Sequence, residues 1–381
     1  MTRLVNVFLR GAADGLSLLS PVGDPAYRRA RPTLALDDET TTDIGIDGFR
    51  LHRSAVRLAE FAKAGNVAFV PAAGFPGQSR SHFEAQALLE SATGPDGSRV
   101  ADGAGWLGRL LAERAGPTVQ CFRGVAVGSV SLPPSMRGST DALSAPALAA
   151  LRLGAIRPAK NLRGTYKVVD SPLSPDIGSL TAAWSVSAGS PAASVAGTAA
   201  AQAVLDRLDG APIELGDTAA FGEGEEASLF ASASALLDAD LGTEVVQVDL
   251  GGWDTHNEQG VTDGKFAELV GALDTGLGAL LDRHSGRDGG LVVTVMTEFG
   301  RRVQENASGG TDHGRGGLAL VLGDGVAGGL RGTWPGLDDL DDGDVRAVND
   351  LRVLQAEVAA EVFGITTPVP DGAAPLGLFA A

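Results

Sequence analysis

Three of the five histidines stand beside acidic residues in polar, mostly glycine-rich segments: His82 in "RSHFEAQ", His256 in "GGWDTHNEQG" and His313 in "GGTDHGRGG". Such a mixture of imidazole and carboxylate suits a divalent cation, Zn²⁺, Mn²⁺ or Mg²⁺, better than a thiolate site would. These imidazoles and the carboxylates Asp14, Asp254, Glu298 and Asp312 are the candidate groups for one ion or two. Ser81 directly precedes His82. Arg80, Arg301 and Arg315 lie beside these groups in sequence. The glycines around His313 are expected to let the backbone approach an ion and adopt positive φ.

Each residue also has a structural use. Asp14 before Gly15 suits a turn, and Ser81 with Glu84 makes a capping box for a helix beginning at His82. Asp254 and His256 suit an Asx-turn, and Glu298 can pair with Arg301. His52 and His284 sit at predicted helix ends and read as structural.

Placement argues for a shared site. Apolar, β-rich runs occur at 4–9, 66–74, 244–252, 291–300 and 318–325, continuous rather than alternating, as in strands buried on both faces of a parallel sheet. The candidate residues fall in the loops that bound these runs. In an open parallel sheet, ligands bind in the crevice at the strand C-termini, so residues distant in sequence converge there. Amphipathic segments at 52–65 and 264–286 predict helices between strands. The alternation predicts an α/β fold, a three-layer sandwich with a mostly parallel central sheet. A single domain over 1–381 is expected, interrupted at 133–240 by a largely helical and irregular insertion rich in Ala, Ser, Pro and Gly.

Several other chemistries are excluded. "GDGVAGG" (323–329) has dinucleotide spacing but is followed by "LRGTWPGL", with Gly and Pro where a phosphate-binding helix must begin. Neither a Walker A sequence nor a G-x-S-x-G elbow is present. "LDDLDDGD" (337–344) fails the EF-hand pattern because Leu340 stands where a ligand is needed, and reads as a solvated turn. The net charge of −17 makes nucleic acid a poor partner. Cys121 is the only cysteine, so no intramolecular disulfide forms. No run of apolar residues is long enough for a membrane span, and "MTRLVNVFLRGAADG" has no leader pattern, which predicts a cytoplasmic chain.

Taken in order, "FLRGAADGL", "RSHFEAQ", "GGWDTHNEQG", "TEFGRR" and "GGTDHGRGG" make the chain resemble the bacterial family catalogued as domain of unknown function 1501. That family is grouped with the alkaline phosphatase and sulfatase superfamily, and many members carry a twin-arginine leader that this chain lacks. The resemblance implies an alkaline phosphatase-like α/β sandwich with a metal site at the strand ends, acting on a small phosphate or sulfate ester. It implies one ion on Asp254, His256 and His313, and a second on Asp14, Glu298 and the nucleophile Ser81, whose hydroxyl a cation would activate at neutral pH, with His82 orienting or protonating. Arg80, Arg301 and Arg315 are then the expected partners of the anionic ester's oxygens. Phe299 stands where a partner histidine is expected, and Asp254 and His256 are closer in sequence than the phosphatase pattern has them. Cys121 lies in "CFRG", outside the motif that yields formylglycine in sulfatases. The substitution at Phe299 motivates an alternative: a metal-stabilised binding protein that has lost its chemistry.

Overall fold

The computed structural model describes residues 2–93, 103–115, 120, 122–129, 131–145, 213, 215–239, 241–287 and 289–380. Its centre is a nine-stranded mixed sheet. Strands Arg3–Leu9, Val67–Gly74, Val245–Leu250, Leu291–Met296 and Gly317–Gly323 correspond to the five apolar runs of the sequence. Arg3–Leu9 lies in the middle, parallel to Val245–Leu250 on one side and to Leu291–Met296 on the other. Gly317–Gly323 runs antiparallel between Leu291–Met296 and Val67–Gly74, the one reversed strand among the described residues of the sheet.

Alternation along the central strand divides the core into two layers. Val5, Val7 and Leu9 pack against helices Val56–Lys63, Glu225–Asp238 and Lys265–His284. Leu4 and Phe8 point the other way, toward helices His82–Ser91, Trp106–Glu113 and Leu351–Phe363. Opposite-facing neighbours are what a strand's two-residue period dictates, and helices on both faces make this a three-layer α/β fold. Asn6 is the polar exception in the central strand. Its amide donates to Gln247 Oε1 at 2.7 Å and its oxygen accepts from Thr294 Oγ1 at 2.7 Å, so three adjacent strands share a satisfied buried ladder.

Most of the expected insertion at 133–240 lies outside the described residues. Its described parts attach to the sheet rather than forming a separate body. Ala142–Ala145 is an edge strand parallel to Gly124–Val127, and Glu225–Asp238 is a buried helix. After Gly323 the chain enters a turn and the short strand Gly329–Leu330, with no helix there to hold a pyrophosphate. Among the described residues, no helix is long and apolar enough to cross a membrane.

Two polar contacts lock the helical layer. The first turn of Val56–Lys63 has no cap of its own. Instead the N–H groups of Arg57 and Leu58 donate to Asp274, 2.9 and 2.7 Å away on helix Lys265–His284. At the far end of that helix His284 is 1% exposed, its Nε2 2.8 Å from Ser234 Oγ. Burial, opposed only in part by Asp238, pushes its pKa down to about 4. The unfolded chain therefore binds a proton between that value and the ordinary 6.5 that the folded chain refuses. Stability from His284 is complete above pH 6.5 and is lost as pH falls toward 4, by about 3 kcal/mol. Urea midpoints at neutral and acidic pH should differ less in His284→Gln than in the parent protein. An unchanged difference would assign the acid sensitivity elsewhere.

Candidate metal centre

Topology explains why residues so far apart in sequence meet. Segments leaving Arg3–Leu9, Val67–Gly74, Val245–Leu250 and Leu291–Met296 all emerge at one edge of the sheet. Because Gly317–Gly323 is antiparallel, the segment that precedes it arrives at the same edge. His313, before a strand, thus meets His82 and His256, which follow strands.

The three imidazoles converge through Nε2. His82 and His313 approach to 3.0 Å, His256 and His313 to 2.9 Å. Asp254 Oδ1 lies 3.1 Å from His256 Nε2 and 3.3 Å from His313 Nε2. His82, Asp254 and His313 each bring one ligand atom to within 4.8 Å of the others. His256 joins this group through His313 and Asp254.

The other ring nitrogen of each histidine faces an oxygen acceptor. His82 Nδ1 is 2.8 Å from Glu298 Oε1, His256 Nδ1 is 3.2 Å from Asp312 Oδ1, and His313 Nδ1 is 3.1 Å from the Arg80 carbonyl. Burial would raise the Glu298 pKa, but hydrogen bonds from Gln86 and His82 hold it below its ordinary value. The Asn306 amide does the same for Asp312. Both carboxylates are therefore ionised at neutral pH and can only accept, as can the carbonyl. An imidazole with a single proton here carries it on Nδ1 and leaves Nε2 as a lone pair. Three such lone pairs beside a carboxylate oxygen are a donor set for a cation. Burial, reinforced by His82 and Arg301, lowers the His313 pKa, so protonation is a poor substitute.

The spacing tests the fit. Zn–N bonds of about 2.0–2.1 Å put neighbouring donors of a tetrahedron about 3.3 Å apart. The four closest approaches here run from 2.9 to 3.3 Å. A nitrogen-rich donor set favours Zn²⁺ or another transition ion over Mg²⁺, which takes oxygen ligands in octahedral order. The residues fit a transition-metal dication, and each histidine has the oxygen partner that sets ligand orientation in such sites.

The remaining candidates take other places. Glu298, expected as a ligand, is fully buried; its Oε1 receives His82, the Gln86 amide at 2.9 Å and the Gly11 N–H at 3.0 Å, leaving it to orient His82. Asp312 likewise orients His256. Asp14 is not brought to the cluster. It is fully buried in a bidentate pair with Arg31, at 2.6 and 3.0 Å, and also receives Ser17 Oγ and Gln259 Nε2. His82, expected to orient or protonate, sits among the ligand atoms. Ser81 occupies the N-cap of His82–Ser91 without a side-chain capping bond; Glu84 accepts from Ser79 Oγ instead, so the expected capping box does not form.

All three candidate arginines are engaged by the protein. Arg301 is buried, donates to the carbonyls of Gly11, Ala12 and Thr311, and holds Asp254 Oδ1 at 2.6 Å. Arg80 pairs with Asp342 and Asp344, and Arg315 donates to the Gln78 carbonyl and faces Asp341. Burial opposes ionisation of Asp254, yet Arg301 and the histidines keep its pKa below the usual carboxylate range.

Gly309 adopts the positive φ expected of the glycines around His313, at +70°, and the others serve close packing. A Cβ on Gly310 would stand 2.4 Å from the His256 backbone, and one on Gly314 2.5 Å from that of Arg301. Glycine is needed because backbones touch, so the loop carrying His313 can press against those carrying its partners. Sequence reasoning also missed Gln86 and Asn306. Asn306 bridges the His256 carbonyl to Asp312 and accepts the N–H groups of Ser308 and Gly310. An amide in a turn carries no mark of this in the sequence. Phe299 is fully buried, with its ring 4.9 Å from that of His82 and 5.1 Å from that of His313, so it walls the histidines.

Residues 218–355 match a family model described as "Protein of unknown function (DUF1501)". The matched segment contains "GGWDTHNEQG", "TEFGRR" and "GGTDHGRGG", so the family resemblance of the motifs is found again there. No curated protein matches the chain. Among solved structures, one from Bacteroides thetaiotaomicron, provisionally described as a sulfatase, superposes with a TM-score of 0.41 at 11% identity, covering 99% of this chain and 74% of the other.

Proposed function

We propose that this protein is a metal-dependent hydrolase of a phosphate or sulfate ester, with His82, Asp254 and His313 holding a divalent cation, His256 beside them, and Ser81 as nucleophile. The observation that carries this reading is the trio of imidazoles whose Nδ1 atoms all face oxygen acceptors while their Nε2 atoms meet beside Asp254. When bound, the cation supplies Lewis acidity toward an ester oxygen and lowers the pKa of a neighbouring hydroxyl. The chain's own residues provide the rest. Ser81 lies next to a ligand at a helix N-terminus, where unpaired N–H groups favour an anion, and its hydroxyl makes no capping bond. Arg301 fixes Asp254, Glu298 fixes His82, and Phe299 covers both ring faces from one side.

The test is turnover of aryl phosphate, phosphodiester and sulfate esters with Zn²⁺, Mn²⁺ or Mg²⁺ added. Zn²⁺-dependent turnover is expected, falling about a hundredfold or more in Ser81→Ala. Turnover that survives this substitution would remove the serine from the mechanism.

A second reading, a metal-stabilised binding protein without turnover, is favoured by the arginines, each already paired within the protein. In that case chelation lowers the melting temperature, and Ser81→Ala changes neither metal content nor any rate.

A further inference from the structure

Three arginines from segments that build the metal centre gather on one acidic loop. Arg80 lies two residues before His82, Arg315 two after His313, and Arg302 follows Arg301. Arg80 places its guanidinium 2.9 Å from Asp342 Oδ2 and, through Nε, 2.7 Å from Asp344 Oδ2. Arg302 stands 3.7 Å from Asp342 Oδ2, and Arg315 3.7 Å from Asp344 Oδ2.

The two carboxylates are held differently. Asp344 is fully buried and its backbone is hydrogen-bonded in both directions to Asp341. The Asp342 side chain is 70% exposed, on a backbone with φ of +54°. Its carboxylate is a solvent-facing anion between two guanidiniums that are themselves 26% and 35% exposed. An exposed ion pair of this kind exchanges easily for a competing anion.

We infer that Asp342 fills an anion seat between Arg80 and Arg302, beside the metal centre, and that an anionic group of the substrate distinct from its scissile ester takes this seat by displacing it. The substrate class is then an ester that carries a second carboxylate, phosphate or sulfate. This consequence for the substrate rests on the hydrolase reading; the seat itself does not.

Inorganic sulfate, titrated calorimetrically into chelator-treated protein, reads the seat without a cation to compete for the anion. Asp342→Asn keeps a residue that tolerates positive φ and is expected to bind sulfate about fivefold more tightly than the parent. Adding Arg302→Gln should cancel that gain. Arg302 is the better partner to remove, because Arg80 holds buried Asp344 at 2.7 Å whereas Arg302 stands 3.9 Å from it. Equal affinity in the parent and Asp342→Asn would overturn the inference, as would a gain that survives Arg302→Gln. Absence of ester turnover with the sulfate result intact would instead count against the hydrolase reading alone.

Discussion

His313→Ala protein, equilibrated with zinc and then dialysed, is expected to retain no stoichiometric metal, where the parent retains it. His313 is the hub of the cluster: its Nε2 is the atom within 2.9–3.3 Å of His256, His82 and Asp254 alike. Removing it leaves His256 and His82 joined through Asp254, at 3.1 and 3.7 Å, with no third imidazole between them. Glu298→Gln provides the contrast. The amide keeps the size of the side chain but loses the acceptor charge that sets the His82 tautomer, and loss of such a partner weakens metal binding by about 10–100-fold without abolishing it. Asp312→Asn should weaken it less, since that carboxylate is 56% exposed and solvent can replace it. Elemental analysis gives the stoichiometry, and competition against a chelating dye gives the ranking. Equal zinc in the parent and His313→Ala would mean that the histidines meet for another reason. The order Asp312, Glu298, His313, from mild to severe, is what separates a coordination centre from a mere hydrogen-bonded cluster.

The residues of this centre were more legible in the sequence than their roles. Five strands could be read because each is buried on both faces and so appears as an unbroken apolar run. Gly124–Val127 and Ala142–Ala145 escaped, being four residues each and partly built of Gly, Ala and Ser, which carry little strand preference. Strand direction has no periodicity of its own. The reversal of Gly317–Gly323, which delivers His313 to the shared edge, is visible only in the pairing. The histidines were found because imidazole is scarce in this chain and stands next to acids. Which carboxylate coordinates and which merely orients depends on burial and on neutral donors: Gln86 and Gly11 reach Glu298 from 212 and 287 residues away, and Asn306 reaches Asp312 within its own turn. The same holds for Asp14, whose partner Arg31 sits in "YRRARP", where it reads as an ordinary basic helix end.

That pairing sets the second large expectation. Asp14→Asn should destabilise the fold by about 3–5 kcal/mol, because Arg31 then remains buried, charged and without its counter-ion. Both side chains of the pair have no exposure at all, so water cannot compensate. The guanidinium would keep its bonds to Ser17 and to the carbonyls of Arg302 and Val303, which orient it without neutralising it. Burial alone would raise the Asp14 pKa, but Arg31 and the donors Gln259 and Ser17 bring it below its ordinary value. Its contribution is therefore complete above the unfolded carboxyl's pKa and is lost as pH falls through the lower, folded value. Replacing both partners with apolar residues of similar volume, as in Asp14→Leu with Arg31→Met, should cost far less than the sum of the single changes. Urea unfolding of the four proteins supplies the cycle. Zinc content measured on the same samples distinguishes the two possible roles of Asp14: a structural anion leaves the stoichiometry of the folded fraction at the parent's value, whereas a ligand would lower it in Asp14→Asn. The geometry predicts the first outcome, since every oxygen of Asp14 already faces a donor supplied by the protein.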